Sequence, residues 1–267
     1  MYLSLLERII DLFSPRYCPS CDKRLMGTEE MLCATCLLGL PITSTWEDPY
    51  ENKMAKMFWG RIPIERCVAL FYYHSHSYPS NIIYALKYHH RPDAGVYLGH
   101  LIGSKGLETN FFDGIDAIIP IPITPKRRKQ RGYNQSEMIA RGIQEKIAKN
   151  IQEKITKGIQ GGIIDKGIQG AKTPPIITDA VRRIVFTESQ TQKTRMGRLE
   201  NVENVFQLSD FYHDTDGKHP ISDLAGKHLL LIDDVCTTGA TLVSCCQELE
   251  KAGKMKFSIA TVGWATE

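Results

Sequence analysis

Residues 229–241 read Leu229-Leu230-Leu231-Ile232-Asp233-Asp234-Val235-Cys236-Thr237-Thr238-Gly239-Ala240-Thr241: four apolar residues, two adjacent carboxylates, then a hydroxyl-rich turn with a glycine. An apolar run without alternation is the pattern of a parallel strand covered on both faces, although periodicity alone leaves a buried helical segment open. Gly226 and Lys227 before the run and Gly239 after it favour the strand. Leu242, Val243, Cys246, Leu249 and Glu250 then recur at roughly helical spacing, so the order is strand, short loop, helix. Ligands of open parallel sheets sit at the carboxyl ends of strands, and a helix N-terminus offers free N–H groups and a favourable dipole to phosphate. Thr237, Thr238 and Thr241 supply hydroxyl donors, and Gly239 lets the backbone come close. Asp233 and Asp234 accept only; they suit a vicinal diol, or Mg2+ held through water. Diol plus phosphate describes a ribose 5-phosphate. Each residue alone also fits ordinary turn and cap duty; the order carries the reading. No G-x-x-x-x-G-K-[ST] occurs and no G-x-G-x-x-G follows a plausible strand, so P-loop and dinucleotide folds find no support.

With 267 residues the chain can bury a sizeable core, as one large domain or a medium one with a small attachment. A net charge of +3 is too slight to argue for nucleic acid, so any basic footprint is local. No stretch reaches the roughly 18 consecutive apolar residues of a membrane span. Residues 1–13 have some signal-peptide character, yet Glu7, Arg8 and Asp11 interrupt the apolar part and no small-residue cleavage site follows. Leu3, Leu6, Ile9, Ile10 and Phe13 instead mark an amphipathic helix, and a cytoplasmic protein is expected.

Four of the eight cysteines form Cys18-x-x-Cys21 and Cys33-x-x-Cys36, eleven residues apart. Two pairs of thiolates on tight turns suit one tetrahedral Zn2+, and a reducing compartment disfavours the alternative of disulfides. The segment from Pro15 to Pro41 is too short for a core of its own; structural zinc supplies roughly 10–16 kcal/mol of apparent binding energy. Cys67, Cys245 and Cys246 lack such spacing and read as core thiols. Cys236 lies in the ligand loop, where a helix N-terminus would lower its pKa, but no histidine is near in sequence.

The expected organisation is an amphipathic helix and four-cysteine ribbon over 1–45, a linker over 46–66, and a main domain over 67–267. Strand formers run from Cys67 to Tyr73, helices are expected around Ile82–Leu86 and Val96–Ile102, and Ala117-Ile118-Ile119 is a second strand stopped by Pro120 and Pro122. Lys126-Arg127-Arg128-Lys129 and Arg131 form a basic patch before Gly132-Tyr133-Asn134-Gln135-Ser136-Glu137. Asn134 and Glu137 have capping-box spacing, so a helix starts near Gln135. Five cations beside a helix N-terminus suit pyrophosphate, a nucleic acid backbone, or a solvated turn. Between about 142 and 172 a unit repeats at Gly142-Ile143-Gln144, Asn150-Ile151-Gln152, Gly158-Ile159-Gln160 and Gly167-Ile168-Gln169. The first copies extend the helix and the later glycines should end it. Val181–Phe186 is a third strand candidate, and Thr187–Arg198 is either a cationic lid or a plain surface loop.

Residues 232–241 resemble the phosphoribosyl pyrophosphate loop of type I phosphoribosyltransferases. Pro120-Ile121-Pro122 through Gln135, Ser189–Lys193 through Arg198 with Asn201-Val202 to Phe206, and the four-cysteine segment together resemble the ComF family over nearly the whole chain. The resemblance implies an α/β fold: a parallel-sheet type I phosphoribosyltransferase domain preceded by a small four-cysteine zinc ribbon. By position, Asp233 and Asp234 would take the ribose hydroxyls and Thr237, Thr238, Gly239, Ala240 and Thr241 the 5-phosphate. Arg131 would face the pyrophosphate, and Lys193, Arg195 and Arg198 would lie on the flexible loop. Thr124 stands where the family often has a histidine, and the repeat lengthens a usually short connection. Two functions are consistent with this. One is Mg2+-dependent displacement of pyrophosphate from phosphoribosyl pyrophosphate, acceptor open. The other is a competence-associated DNA-uptake accessory protein that binds single-stranded DNA and a helicase.

Overall fold

The computed structural model describes residues 15–74, 80–161, 172–184 and 205–266, without side chains at 157–161. The expected amphipathic helix at 1–13 lies outside them. In chain order the strands are β1 (Ile64–Tyr72), β2 (Ala117–Pro120), β3 (Val181–Arg183), β4 (Phe206–Leu208), β5 (Phe211–His213), β6 (Lys218–Pro220), β7 (His228–Cys236) and β8 (Lys256–Trp264). The α-helices are α1 (Ala34–Leu38), α2 (Lys53–Lys56), α3 (Ser80–Tyr88), α4 (Pro92–Glu108), α5 (Pro125–Arg131), α6 (Gln135–Gly161) and α7 (Ala240–Leu249).

The unbroken run Leu229–Ile232 is strand, not helix. It forms the middle of β7, parallel to β2 on one side and β8 on the other, in a four-strand sheet ordered β1-β8-β7-β2. Alternation along β7 explains why no polar residue interrupts it. Leu230 and Ile232 join Ile82, Leu98, Ile139 and Ile143 on one face, while Leu229 and Leu231 join Phe58, Leu242 and Leu249 on the other. β1 begins at Ile64, before the run of strand formers, and pairs with β8. Its outer edge is covered by the chain arriving from the N-terminal module: Tyr72 N–H donates to Pro41 O (2.8 Å) and Thr43 N–H to Leu70 O (3.2 Å). An edge so paired offers no template for another chain.

Sequence reading passed over β8. Its pattern Phe257-Ser258-Ile259-Ala260-Thr261-Val262-Gly263 mixes hydroxyls into a strand that is buried throughout. The hydroxyls are satisfied: Ser258 Oγ lies 2.9 Å from His228 Nε2, and Thr261 Oγ1 donates to Gly263 O at 3.1 Å. The strand expected over Val181–Phe186 is present in its first half. Val181–Arg183 is strand, but it pairs antiparallel with β4 in a separate ribbon outside the sheet.

Helices α4 and α6 cover one face and meet backbone to backbone. A Cβ on Gly99 would lie 2.2 Å from Ile139 O, and one on Gly142 would lie 2.1 Å from Val96 O. Glycine is therefore required at the crossing for its size. α6 starts at Gln135 as expected, without the expected capping box. Asn134 Oδ1 accepts from Ser136 N–H (3.2 Å), while Glu137 turns to Arg128 (3.4 Å) and Arg141 (2.8 Å). The helix runs through the first two copies to Gly161, so its described end falls among the glycines expected to stop it. Residues 46–66, expected as a linker, hold α2, capped by Asn52 Oδ1 accepting from Ala55 N–H (2.9 Å), and bury Met54 and Phe58.

Among the described residues no helix is long and apolar enough to cross a membrane.

Candidate phosphate and metal sites

β2 and β7 end side by side: Pro120 pairs with Ile232, and Ile121 N–H donates to Ile232 O (2.9 Å). Asp233 and Asp234 follow at the carboxyl end of β7. The N-terminus of α6 comes against them. Asn134 Nδ2 donates to Ile121 O (3.0 Å), and Ser136 Oγ donates to Asp233 Oδ1 (3.2 Å), an oxygen that also accepts from Asp234 N–H (2.9 Å). Lys87, from α3, places Nζ 3.0 Å from Asp234 Oδ1. Burial, and then the adjacent Asp234 carboxylate, push the Asp233 carboxyl up to about 7, against the opposing pull of Lys87 and the Ser136 hydrogen bond.

Thr237, Thr238 and Gly239 carry the chain from the strand into α7. Gly239 has φ +71 and no side-chain cap on the helix, and a Cβ there would lie 2.8 Å from the Phe58 ring. Left-handed backbone and a close ring both demand glycine. Thr237 and Thr238 are exposed, Ala240 and Thr241 half-buried. A ten-residue helix thus opens beside two carboxylates with its first turn turned to the loop. Cys236 is not at the helix start: it is the last residue of β7, buried, and burial pushes its thiol up to about 12, opposite to the lowering expected.

The basic patch is a seven-residue helix, α5, capped by Thr124 Oγ1 accepting from Arg127 N–H (3.3 Å), so Thr124 has a structural task where the family often has histidine. Lys126 to Gln130 are exposed. Arg131 is held: it donates to Gln135 Oε1 (2.7 Å) and its guanidinium lies 5.6 Å from the centre of the Tyr88 ring. Gln135 Nε2 is buried with no hydrogen-bond partner, one residue before the Ser136 that touches Asp233. Arg183, at the end of β3, was not singled out in the sequence. Burial, then the nearby Arg127, lower its pKa, while Asp233 pulls it up, so hairpin, basic helix and acid pair share one electrostatic neighbourhood. The only sequence signal for it is the pair Arg182-Arg183 just ahead of the basic stretch. Asp233 and Asp234 near the end of β7 lead through Thr237, Thr238 and Gly239 into Ala240 and Thr241 of α7, and Arg131 is bonded to Gln135, the neighbour of the Ser136 that touches Asp233. Lys193, Arg195 and Arg198 lie outside the described residues, between Arg183 and Phe206, which are paired in β3 and β4.

At the N-terminal end the sulfurs of Cys18, Cys21, Cys33 and Cys36 all lie within 4.8 Å of one another. Tetrahedral Zn–S bonds of about 2.3 Å put sulfurs about 3.8 Å apart, so the set fits zinc with small adjustment. The first pair sits on a turn in which Asp22 N–H donates to Cys18 O (2.8 Å) and Asp22 adopts φ +58; Cys33 begins α1. A backbone hydrogen bond from Cys36 lowers the Cys33 thiol pKa, which favours the thiolate. The module is docked: Leu25, Met31, Leu32 and Leu40 belong to the core cluster of the sheet's α4–α6 face, and Asn81 Nδ2 donates to Ser20 O (2.9 Å).

Comparison with known proteins agrees with this layout. Residues 177–263 match the phosphoribosyl transferase domain family. The chain is 24% identical to the DNA utilization protein YhgH of Shigella flexneri over 239 residues, 88% of this chain and 85% of the relative. It is 25% identical to competence protein F of Haemophilus influenzae over 144 residues, 54% of this chain and 48% of that protein. Residues 177–263 therefore match a phosphoribosyltransferase domain on a parallel α/β sheet, the four-cysteine cluster precedes it, and the chain is similar to DNA-utilization proteins over most of its length and to a competence protein over about half of it.

Proposed function

We propose that the protein binds phosphoribosyl pyrophosphate with Mg2+ and displaces pyrophosphate from carbon 1 of the ribose. The observation that carries this is the acid pair near the end of β7, followed by the hydroxyl-rich turn into the N-terminus of α7, where Thr238 Oγ1 accepts from Ala240 N–H (3.4 Å). Asp233 and Asp234 accept from the ribose 2- and 3-hydroxyls, and the amides and hydroxyls of 237–241 hold the 5-phosphate. Arg131, with Lys193, Arg195 and Arg198 of the loop, faces the departing pyrophosphate. Bound Mg2+ would neutralise part of the pyrophosphate charge. The C1–O bond breaks with its electron pair leaving on pyrophosphate, and a lone pair of the acceptor forms the new bond at C1. Such a reaction needs cations and positioning more than a protein nucleophile, which fits a site whose nearest thiol, Cys236, is protonated. The four cysteines hold Zn2+ as a structural ion in a cytoplasmic protein. The N-terminal module covers 1–45 and the main domain the rest, with 46–66 as its edge and the repeat expansion inside it.

The test is calorimetric titration of phosphoribosyl pyrophosphate with Mg2+, followed by a pyrophosphate-release assay against ammonia, purine bases and single-stranded DNA. Binding with release supports the reading and identifies the acceptor. Unchanged affinity in the double variant Asp233→Asn, Asp234→Asn, with the fold intact, would count decisively against the site.

One further observation favours a second reading, DNA uptake with a helicase partner and a regulatory sugar-phosphate site. Arg131 at the end of α5 lies 5.6 Å from the Tyr88 ring, and the exposed Tyr84 ring is 4.6 Å from that of Tyr88. An exposed aromatic pair next to a basic helix supports base stacking. Tyr133, in contrast, is tied by its hydroxyl to Leu86 O. Oligonucleotide binding that falls with salt and is lost in Lys126→Gln with Lys129→Gln supports it; no binding at low salt removes it.

A further inference from the structure

Lys87 sits in the last turn of α3, anchored by the buried Ile82, Ile83 and Leu86. Its ammonium lies 3.0 Å from Asp234 Oδ1, with the two side chains only 23% and 14% exposed. A pair so enclosed is costly to leave half-broken, because the remaining charge would be short of water. The helix end itself is fixed by the stretch that joins α5 to α6. Tyr133 donates to Leu86 O, Arg131 lies against the Tyr88 ring, and His90 Nδ1 is 3.2 Å from Arg131 O. The residues that place Arg131 and Ser136 therefore also place Lys87.

Both carboxylates are engaged within the protein, Asp233 by the Ser136 hydroxyl and Asp234 by Lys87. A sugar diol needs carboxylate oxygens as acceptors. The Ser136 hydroxyl can stay, since one carboxylate accepts several hydrogen bonds. The ammonium lies on one Asp234 oxygen, Oδ1; when the ribose hydroxyls draw that carboxylate to themselves, the enclosed cation needs a second anion. Its stem turns freely while its Cα stays fixed. The anion that a diol-bound phosphoribosyl pyrophosphate brings nearest to C1 is its pyrophosphate.

We propose that Lys87 changes partner on ligand binding, holding Asp234 in the free protein and moving its ammonium to the pyrophosphate when the ribose hydroxyls take that carboxylate. Lys87 is then the residue that distinguishes a sugar phosphate carrying pyrophosphate from one without it. The inference rests on the reading of the acid pair given above.

The experiment titrates wild-type protein, Lys87→Met and Lys87→Arg with phosphoribosyl pyrophosphate and with ribose 5-phosphate, both with Mg2+, alongside an unfolding curve for each variant. Lys87→Met should weaken phosphoribosyl pyrophosphate binding about tenfold or more, equivalent to about 1.4 kcal/mol, and change ribose 5-phosphate binding by about twofold at most. Lys87→Arg should recover part of the difference. Equal losses for both ligands would reduce Lys87 to a support for Asp234 and overturn the proposal, as would unchanged affinity for phosphoribosyl pyrophosphate. Wild-type protein that binds neither ligand would instead overturn the reading of the acid pair, and the role of Lys87 with it. Lys87→Gln, which keeps a donor toward Asp234, replaces the methionine variant if that one does not fold.

Discussion

In the sheet, Leu229, Leu230, Leu231 and Ile232 are completely enclosed, whereas among the described residues of the N-terminal module, 15–45, the buried aliphatic side chains are Leu25, Met31, Leu32 and Leu40, beside the cysteines. Full burial of such a side chain stabilises by about 1.5–3 kcal/mol, so the sheet gains order from many modest contributions. The module has few of these and concentrates its stabilisation in one cluster of four sulfurs. One region is ordered by the chain itself; the other, on the proposal that its cysteines hold Zn2+, gains its order with the ion and with reduced thiols. Yet they share a core cluster, so the conditional part leans on the unconditional one.

The largest effect should come from stripping the metal or from Cys33→Ser. With about 10–16 kcal/mol of apparent binding energy removed, backbone amides of the module should lose protection in hydrogen exchange while those of β7 and β8 keep theirs. Equal loss in both regions would erase the contrast. Leu231→Ala strikes the other side: about 2–5 kcal/mol of global stability, read from denaturant midpoints, with zinc content unchanged. Gly239→Ala should cost about 1–3 kcal/mol through left-handed backbone strain and the Phe58 contact, and weaken ligand binding more than unfolding accounts for. The smallest expected effect concerns Asp233. Its folded-state pKa is raised to about 7, so its contribution to stability is full below the unfolded carboxylate range and is lost as pH climbs through 7. Ligand-free protein should thus be less stable at pH 8 than at pH 5, and Asp233→Asn should remove that slope, on the order of 1 kcal/mol after allowance for solvent screening and the nearby Lys87. A thermal melt at both pH values decides it; an identical slope in the variant would assign the titration elsewhere.

The sheet and the acid pair were legible because an unbroken apolar run and its punctuation are local signals. β8 was not, because Ser258, Thr261 and Gly263 disguise a buried strand as a mixed one, and their hydroxyl partners are set by tertiary contact. Lys87 and Ser136 were illegible as site residues for another reason. Ser136 meets Asp233 across 97 positions of sequence, and no periodicity reports which helix end arrives at which strand end. The cysteine spacing was readable, whereas its docking onto α3 through Asn81 and Ser20 was not, since neither residue type announces a partner.

The octapeptide expansion lies between the two partners of one clasp, in which Gln144 Nε2 donates to Pro174 O at 2.9 Å. Ile151 is the most distal residue of α6 packed on the core among the described residues. Ile147 packs there too, so the first two copies of the tract are fixed to the face that carries the site's helix start. Units added or removed beyond Ile151 leave those contacts in place, and an affinity tag inserted there should leave the residues around Asp233 undisturbed.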